Sequence, residues 1–286
     1  MQKNLVAAVL RLPSNKKNFF YYPSSLSFFS VSGKDSFDLI NRLSTNNINI
    51  DQNVITQTIF TNENGRIIDL VSIWKIDEDN ITLVCNTDNK KSLIDWIDKF
   101  TFEEEIEMIE VDNLDLIHIF NEDKIIKFSN PYSSSKTINK NNKEFGFFYS
   151  AKSTFYNKHE SIDLLFDKNN LQAVKAFLID EYFVELNDNK FLSFKIKNCI
   201  PYGSNEINPL FNPLELNLNH IIDFDKGCYI GQEVIARLDT YDKVQKKLIS
   251  LNKKDSINIT TSPGSVITSQ NNDNCMIVAR KKFLDN

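Results

Sequence analysis

The chain is poor in the residues that bend and punctuate a backbone, with seven glycines and seven prolines among 286 residues. Arginine is as scarce, five against 28 lysines, and there are only three histidines and four cysteines. Each shortage excludes something. With no glycine period and no proline repeat, collagen-like and low-complexity chains are out. Cys85, Cys199, Cys228 and Cys275 lie far apart and form no Cys-x-x-Cys pair. A disulfide-stapled secreted scaffold is therefore not expected, and a reducing cytoplasm is the simplest setting. In a eukaryote the mitochondrial matrix is the alternative, because Met1–Phe20 carries Lys and Arg and no acidic residue. His118, His159 and His220 lack metal-ligand spacing, so no all-protein zinc site is expected. No window approaches the ~18 apolar residues of a membrane span, and the apolar run Leu5–Leu10 is shorter than a signal-peptide core. A net charge of −5 does not suit a protein that grips nucleic acid through its phosphates.

What is present is a chain 41% hydrophobic and 25% charged, large enough for one substantial core or two to three small ones. Asparagine makes up about one residue in eight. Together with the lysine excess this points to coding bias toward Asn, Lys and Ile. Under such pressure, a surviving glycine or arginine marks a position that needs one.

Hydrophobic periodicity outlines the elements. Leu26–Val31 reads as a strand, and Phe37, Ile40 and Leu43 as one face of a following helix. Val54–Thr61 and Arg66–Ile76 read as strands joined by the hairpin turn Asn64-Gly65, with Ile81–Cys85 as a third. Leu93, Trp96, Ile97 and Phe100 fall at i, i+3, i+4, i+7, a helix face. Ile106–Val111, Leu116–Phe120, Lys124–Phe128 and Gly146–Ser150 follow as strands, and Leu171, Val174, Phe177 and Leu178 mark a helix. The polar stretch Pro131–Lys143 reads as a loop, and Pro201–Pro213, holding three of the seven prolines, as an irregular connection. Beyond Lys246 short strand-like pieces (Leu248–Leu251, Ile257–Thr261, Val266–Ser269, Met276–Ala279) suggest a small barrel or sandwich. The acidic run Glu103–Asp123 reads as a solvated face.

Lys226-Gly227-Cys228-Tyr229-Ile230-Gly231-Gln232-Glu233-Val234-Ile235-Ala236-Arg237 concentrates the scarce residues: two glycines flank a cysteine and an arginine closes the run. Both glycines permit positive φ or close backbone approach. A helix is expected to start near Gly231. A cysteine just ahead of a helix N-terminus, two residues from Lys226, sits where a thiolate is favoured. The alternative is a small buried hydrophobe, the common fate of free cysteine.

Lys-Gly-Cys-Tyr-x-Gly-Gln-Glu resembles the signature of the YgfZ-type folate-binding proteins, relatives of the glycine-cleavage aminomethyltransferase that support iron–sulfur cluster assembly. Further likeness, spanning roughly residues 24–280, lies in Ser30–Asp35 with Leu43–Asn46, in Asn64-Gly65-Arg66-Ile67-Ile68-Asp69, in Pro213-Leu214-Glu215 and in Pro263–Ser269. Where the family carries Arg-Ile-Glu-x-Gly-x-Pro, this chain has Lys195-Ile196-Lys197-Asn198-Cys199-Ile200-Pro201. The resemblance implies an α+β, GcvT-like folate-binding fold. Residues 1–240 would form two mixed α/β subdomains, one ferredoxin-like, and residues 241–286 a small C-terminal β-barrel, around a central opening.

It further implies a tetrahydrofolate-binding accessory protein for iron–sulfur cluster assembly or repair, acting through Cys228 with Lys226 beside it. Its partners would be iron–sulfur assembly proteins or client enzymes. The alternative is a folate-dependent aminomethyl or one-carbon transferase. For the pterin, Asn46, Asp69 and Glu215 could supply acceptors and Tyr229 a stacking face. For the acidic glutamyl tail, Arg66 or Arg237 could supply a cation. Gln232 and Glu233 enter the candidate folate site as part of the signature.

Overall fold

The computed structural model describes residues 18–48, 54–76, 80–121, 138–153, 161–254 and 257–284. The expected strand Lys124–Phe128, His159 and most of the Met1–Phe20 stretch lie outside them. No helix among the described residues is long and apolar enough to cross a membrane.

Two large sheets lie face to face and a small one completes the fold. The first holds β2 (Leu26–Ser32), β3 (Val54–Thr61), β4 (Ile67–Lys75), β5 (Asn80–Asn86) and β6 (Glu107–Val111), in the antiparallel order β3-β4-β5-β2-β6. Helices α1 (Ser36–Leu43) and α2 (Lys90–Lys99) cover one face. Leu39, Ile40 and Leu43 of α1, and Leu93 and Ile97 of α2, fall three or four residues apart on one side of each helix. They pack on Phe29, Val31, Val71, Ile73 and Leu83.

The second sheet has six strands: β1 (Asn18–Tyr21), β7 (Leu114–Asn121), β8 (Asn139–Lys143), β9 (Gly146–Ser153), β10 (Ser161–Asp167) and β11 (Val184–Glu185), in the order β11-β1-β7-β10-β9-β8. Only the β1–β11 pair is parallel. Helix α3 (Leu171–Asp180) covers its outer face through Val174 and Leu178. Between the sheets, Phe28, Ile55, Trp74 and Val84 meet Leu116, Ala151 and Leu165. Burying apolar area at about 25 cal/mol per Å² is what drives these layers together.

Helix α4 (Asp188–Asn198) leads into the irregular connection from Pro201, which ends in a short 3-10 turn at Pro213–Leu216. Helix α5 (Gln232–Thr240) follows. Strands β12 (Lys246–Asn252), β13 (Val266–Gln270) and β14 (Asn274–Arg280) form an antiparallel sheet in the order β12-β14-β13. Leu248, Met276 and Val278 of that sheet join Ile59 and Ile67 of the hairpin, Ile196 of α4 and Phe211 of the connection in one core.

Three expectations change. Asn139–Lys143 is strand β8, its polar residues carried on a sheet edge beside β9 where one side faces solvent. Ile257–Thr260 is a helical turn, not a strand. In place of a closed barrel, the C-terminal strands among the described residues form the three-stranded sheet. Elements not legible in the sequence are β1, β10, β11 and α4. In α4 the buried set Phe191, Phe194, Lys195 and Ile196 includes a lysine and lacks a clean apolar stripe.

Candidate functional site

Where the two large sheets part, a small cavity of about 50 Å³ remains, room for a few water molecules. Its polar lining comes from Gln57, Asp69, Ser72, His118, Asp163 and Tyr202, its apolar lining from Leu26, Leu70, Val84, Leu116 and Ile207. Asp69 is wholly buried. Pairing of β4 with β5 covers only Ser72–Trp74, and past its end the Asp69 carboxylate takes the place of the ladder. Its Oδ2 accepts the Asn86 N–H at 3.0 Å and its Oδ1 the Asn89 side-chain amide at 2.8 Å. Burial pushes its carboxyl up to about 7, against the pull of these hydrogen bonds.

Asp163, also wholly buried, stands opposite His118 in the β10–β7 ladder. His118 Nδ1 lies 2.6 Å from Asp163 Oδ1, and the Tyr202 hydroxyl lies 3.4 Å from His118 Nε2. Asp163 Oδ2 is buried with no hydrogen-bond partner among the described residues. Such an orphaned acceptor is costly unless something fills the place.

Asn86, Tyr202 and Gly203 are shared between this cavity and an open cleft of about 300 Å³. The cleft adds Tyr21, Asp88, Asp188, Phe191 and Lys195, with the Tyr21 and Phe191 rings stacked at 3.7 Å. Burial carries the Tyr202 hydroxyl far above its ordinary pKa. Lys195 is itself tied down: its ammonium donates to Glu206 Oε2 and to the Tyr202 carbonyl, both at 2.8 Å. Glu206 in turn accepts from the Ser269 hydroxyl of β13 at 2.7 Å. Lys195 thus anchors the wall between cavity and cleft. Cys199 has a left-handed φ of 54° at the C-cap of α4.

The signature segment lies elsewhere. Gly231 caps α5 at φ 86°, and a Cβ there would stand 2.5 Å from the Asn62 carbonyl of the β3–β4 loop, so no side chain fits. Gly227 has no positive φ and open space around it, so the freedom expected there is not used. Lys226 is buried, its ammonium donating to the carbonyls of Asn41, Ser44 and Asn46 at 2.7–2.9 Å, where it caps the C-terminal end of α1. Burial lowers its pKa to about 8. Its charge is spent on these carbonyls. Cys228 is exposed, with a free thiol at the surface.

Tyr229 packs its ring into a core with Ile222 and Ile235 and has no open face for stacking. Asn46 donates its amide to the Gln57 carbonyl at 2.9 Å. Arg66 pairs with Glu215 at 3.2 Å, and Glu215 also accepts the Asn212 N–H in a capping box. Arg237 and Glu233 are exposed and Gln232 is half-buried. Of the candidate folate residues only Asp69 lines the cavity. Gln57, His118, Asp163 and Tyr202 were not expected there; their one shared signal, polar residues within apolar strands, is weak.

Residues 22–119 match the GCVT N-terminal domain. The chain is 25% identical over 259 residues to the Arabidopsis thaliana protein named "Putative transferase At1g60990, chloroplastic", covering 83% of this chain and 56% of that one. It is 24% identical over 231 residues to the aminomethyltransferase of Thermoanaerobacter sp. (strain X514), covering 75% and 61%. It therefore spans little more than half the length of these relatives. The solved structure of the glycine cleavage system aminomethyltransferase T from Bartonella henselae superposes with a TM-score of 0.68 at 12% identity, over 93% of this chain and 79% of that one. Residues 22–119 are thus similar to the GCVT N-terminal domain, and the chain shares the mixed α/β fold of a solved aminomethyltransferase.

Proposed function

We propose that this protein holds the pterin head of tetrahydrofolate, or of a derivative, across the adjoining cleft of about 300 Å³, with its polar edge reaching into the small cavity between the two large sheets, and serves as an accessory protein in iron–sulfur cluster assembly or repair. The observation that carries the folate reading is the orphaned Asp163 Oδ2 beside a cavity lined by both polar and apolar side chains. A flat heterocycle bearing ring N–H and amino donors is the chemistry that satisfies such an acceptor. Asp163, Gln57 and Asp69 would meet the polar edge, and Tyr202 supplies the aromatic face first assigned to Tyr229. The remainder of the ligand would extend outward along the cleft past Tyr202 and Gly203. Neither Arg66 nor Arg237 borders the cavity or the cleft, so the glutamyl tail finds no arginine there. Bound in this way, a reduced folate supplies a one-carbon carrier.

The accessory role is supported by Cys228, exposed on a loop that Lys226 pins to the end of α1 and Gly231 to the β3–β4 loop. One thiol is a quarter of the usual cluster ligation. Among the described residues no group of three or more His, Cys, Asp or Glu is placed to hold a metal. A cluster as cargo would therefore be shared with a partner chain or an external thiol such as glutathione. In this reading residues 1–240 form the folate-binding region, and residues 241–286 supply the C-terminal sheet that packs on it through Leu248, Met276 and Val278.

A second reading, one-carbon transfer, is favoured by Asp69. A buried carboxyl held near 7 is suited to general acid–base work at neutral pH. The two readings part in one set of measurements. Folate binding without release of a one-carbon unit from an aminomethyl donor, together with loss of cluster-enzyme support in Cys228→Ala, favours the accessory role. Rapid transfer that survives Cys228→Ala favours the transferase.

A further inference from the structure

The two buried carboxylates of the cavity differ in one respect. Both oxygens of Asp69 are occupied by amide N–H donors from the Asn86–Asn89 turn. Asp163 has one oxygen occupied and one buried without a hydrogen-bond partner. The occupied one is held by His118, its cross-strand neighbour, at 2.6 Å. In the neutral tautomer whose Nδ1–H donates to the carboxylate, the imidazole Nε2 is an acceptor, and it faces the Tyr202 hydroxyl at 3.4 Å with the two rings edge to face. Tyr202 belongs to the wall shared by cavity and cleft, and Lys195 and Glu206 fix its backbone.

We infer that His118 is a positioning residue for ligand binding: braced by Tyr202, it holds the plane of the Asp163 carboxylate so that Oδ2 accepts a hydrogen bond from the exocyclic amino group of a flat heterocycle. The inference rests on the folate reading above, with the pterin as that heterocycle. His118 itself does not need to touch the ligand. Its effect is geometric, because a carboxylate anchored at one oxygen presents the other in one direction. The placement also ties the cavity to its entrance, since the hydroxyl that braces His118 sits on the segment a ligand must pass.

The test is calorimetric titration of the full chain with 5-formyltetrahydrofolate, and with the analogue whose pterin 2-amino group is replaced by methyl. A hydrogen bond to a charged acceptor predicts that His118→Leu weakens binding of the folate by roughly 10- to 100-fold. His118→Asn, whose amide N–H stands in for Nδ1–H, should bind within about threefold of the wild type. The His118→Leu penalty should shrink to about threefold or less for the methyl analogue, which lacks the donor. An equal penalty on both ligands would show a merely structural role and overturn the inference, as would an unchanged Kd in His118→Leu. Should His118→Leu not fold, Tyr202→Phe replaces it, with about fivefold weakening expected for a neutral hydrogen bond and an unchanged Kd overturning the inference. Failure of the wild type to bind the folate overturns the folate reading and this inference together. Binding by the wild type without the His118 effect overturns this inference alone.

Discussion

Lys195 and Glu206 form a buried ion pair, Nζ to Oε2 at 2.8 Å, with side chains 7% and 0% exposed. It joins α4 to the irregular connection and, through Ser269, to the C-terminal sheet. Removing one partner of such a pair leaves a charge in a place that cannot solvate it. Lys195→Met should therefore cost about 3–5 kcal/mol of stability, whereas Lys195→Arg, which keeps the charge, should cost much less. Urea unfolding midpoints of the two variants check this; equal midpoints for Lys195→Met and wild type would remove the pair from any account of stability.

Cys199 has a left-handed φ of 54° without being glycine. Relief of that strain should make Cys199→Gly more stable by about 0.5–1 kcal/mol, less what is lost with the Sγ–H bond to the Leu248 carbonyl at 3.4 Å. Cys199→Val, β-branched at the same φ, should be destabilised by about 1–2 kcal/mol. Chemical denaturation of both orders them around the wild type. A valine variant at least as stable as the glycine one contradicts the backbone assignment.

The Asp69 carboxyl lies at about 7 in the fold against 3.8 for an unburied aspartate. Because the folded value is the higher, the folded state binds more protons between these limits. The contribution of Asp69 to stability is complete below pH 4 and is lost as pH rises through about 7. Asp69→Asn removes the ionisation, so its unfolding midpoint should fall less than that of the wild type between pH 5 and pH 8. Parallel curves for the two proteins would mean that Asp69 does not titrate in this window.

Of the four cysteines, Cys85 and Cys275 are buried, Cys199 is half-buried, and Cys228 is exposed. Burial also carries the Cys85 thiol far above its ordinary pKa. Iodoacetamide at neutral pH should label Cys228 first, by at least about tenfold over the others, as thiol access and thiolate fraction set the rate. Cys228→Ser should abolish this fast phase and leave the thermal midpoint within about 1 °C, since exposed substitutions fall within about 0.5 kcal/mol. Peptide mapping by mass spectrometry identifies the labelled residue.

Elements whose burial repeats locally were legible in the chain alone. Leu93 and Ile97 bury one face of α2, and Gly65 takes the positive φ of 65° that closes the β3–β4 hairpin. The same holds for the segment around Cys228, where scarce glycines flag tight packing and Gly231 bears this out against the Asn62 carbonyl. That segment also showed what residue type leaves undecided: Lys226 beside a cysteine reads equally as a charge that activates a thiol or as a cap on a helix, and only the carbonyls of Asn41, Ser44 and Asn46 choose.

The cavity required the tertiary structure. Gln57, Asp69, His118, Asp163 and Tyr202 come from four strands and a connection and meet only through cross-strand pairing and the stacking of two sheets. Even the place of Asp69 is not a matter of counting alternate residues, because the β3–β4 register shifts at Phe60/Thr61, opposite Ile67 and Asp69. His118, one of three histidines, carries no local pattern at all; its meaning comes from the Asp163 across the ladder. Residue types and short-range spacing determine which segments fold and which are pinned, while a site assembled from distant strands is set by register and layer contacts that no short window contains.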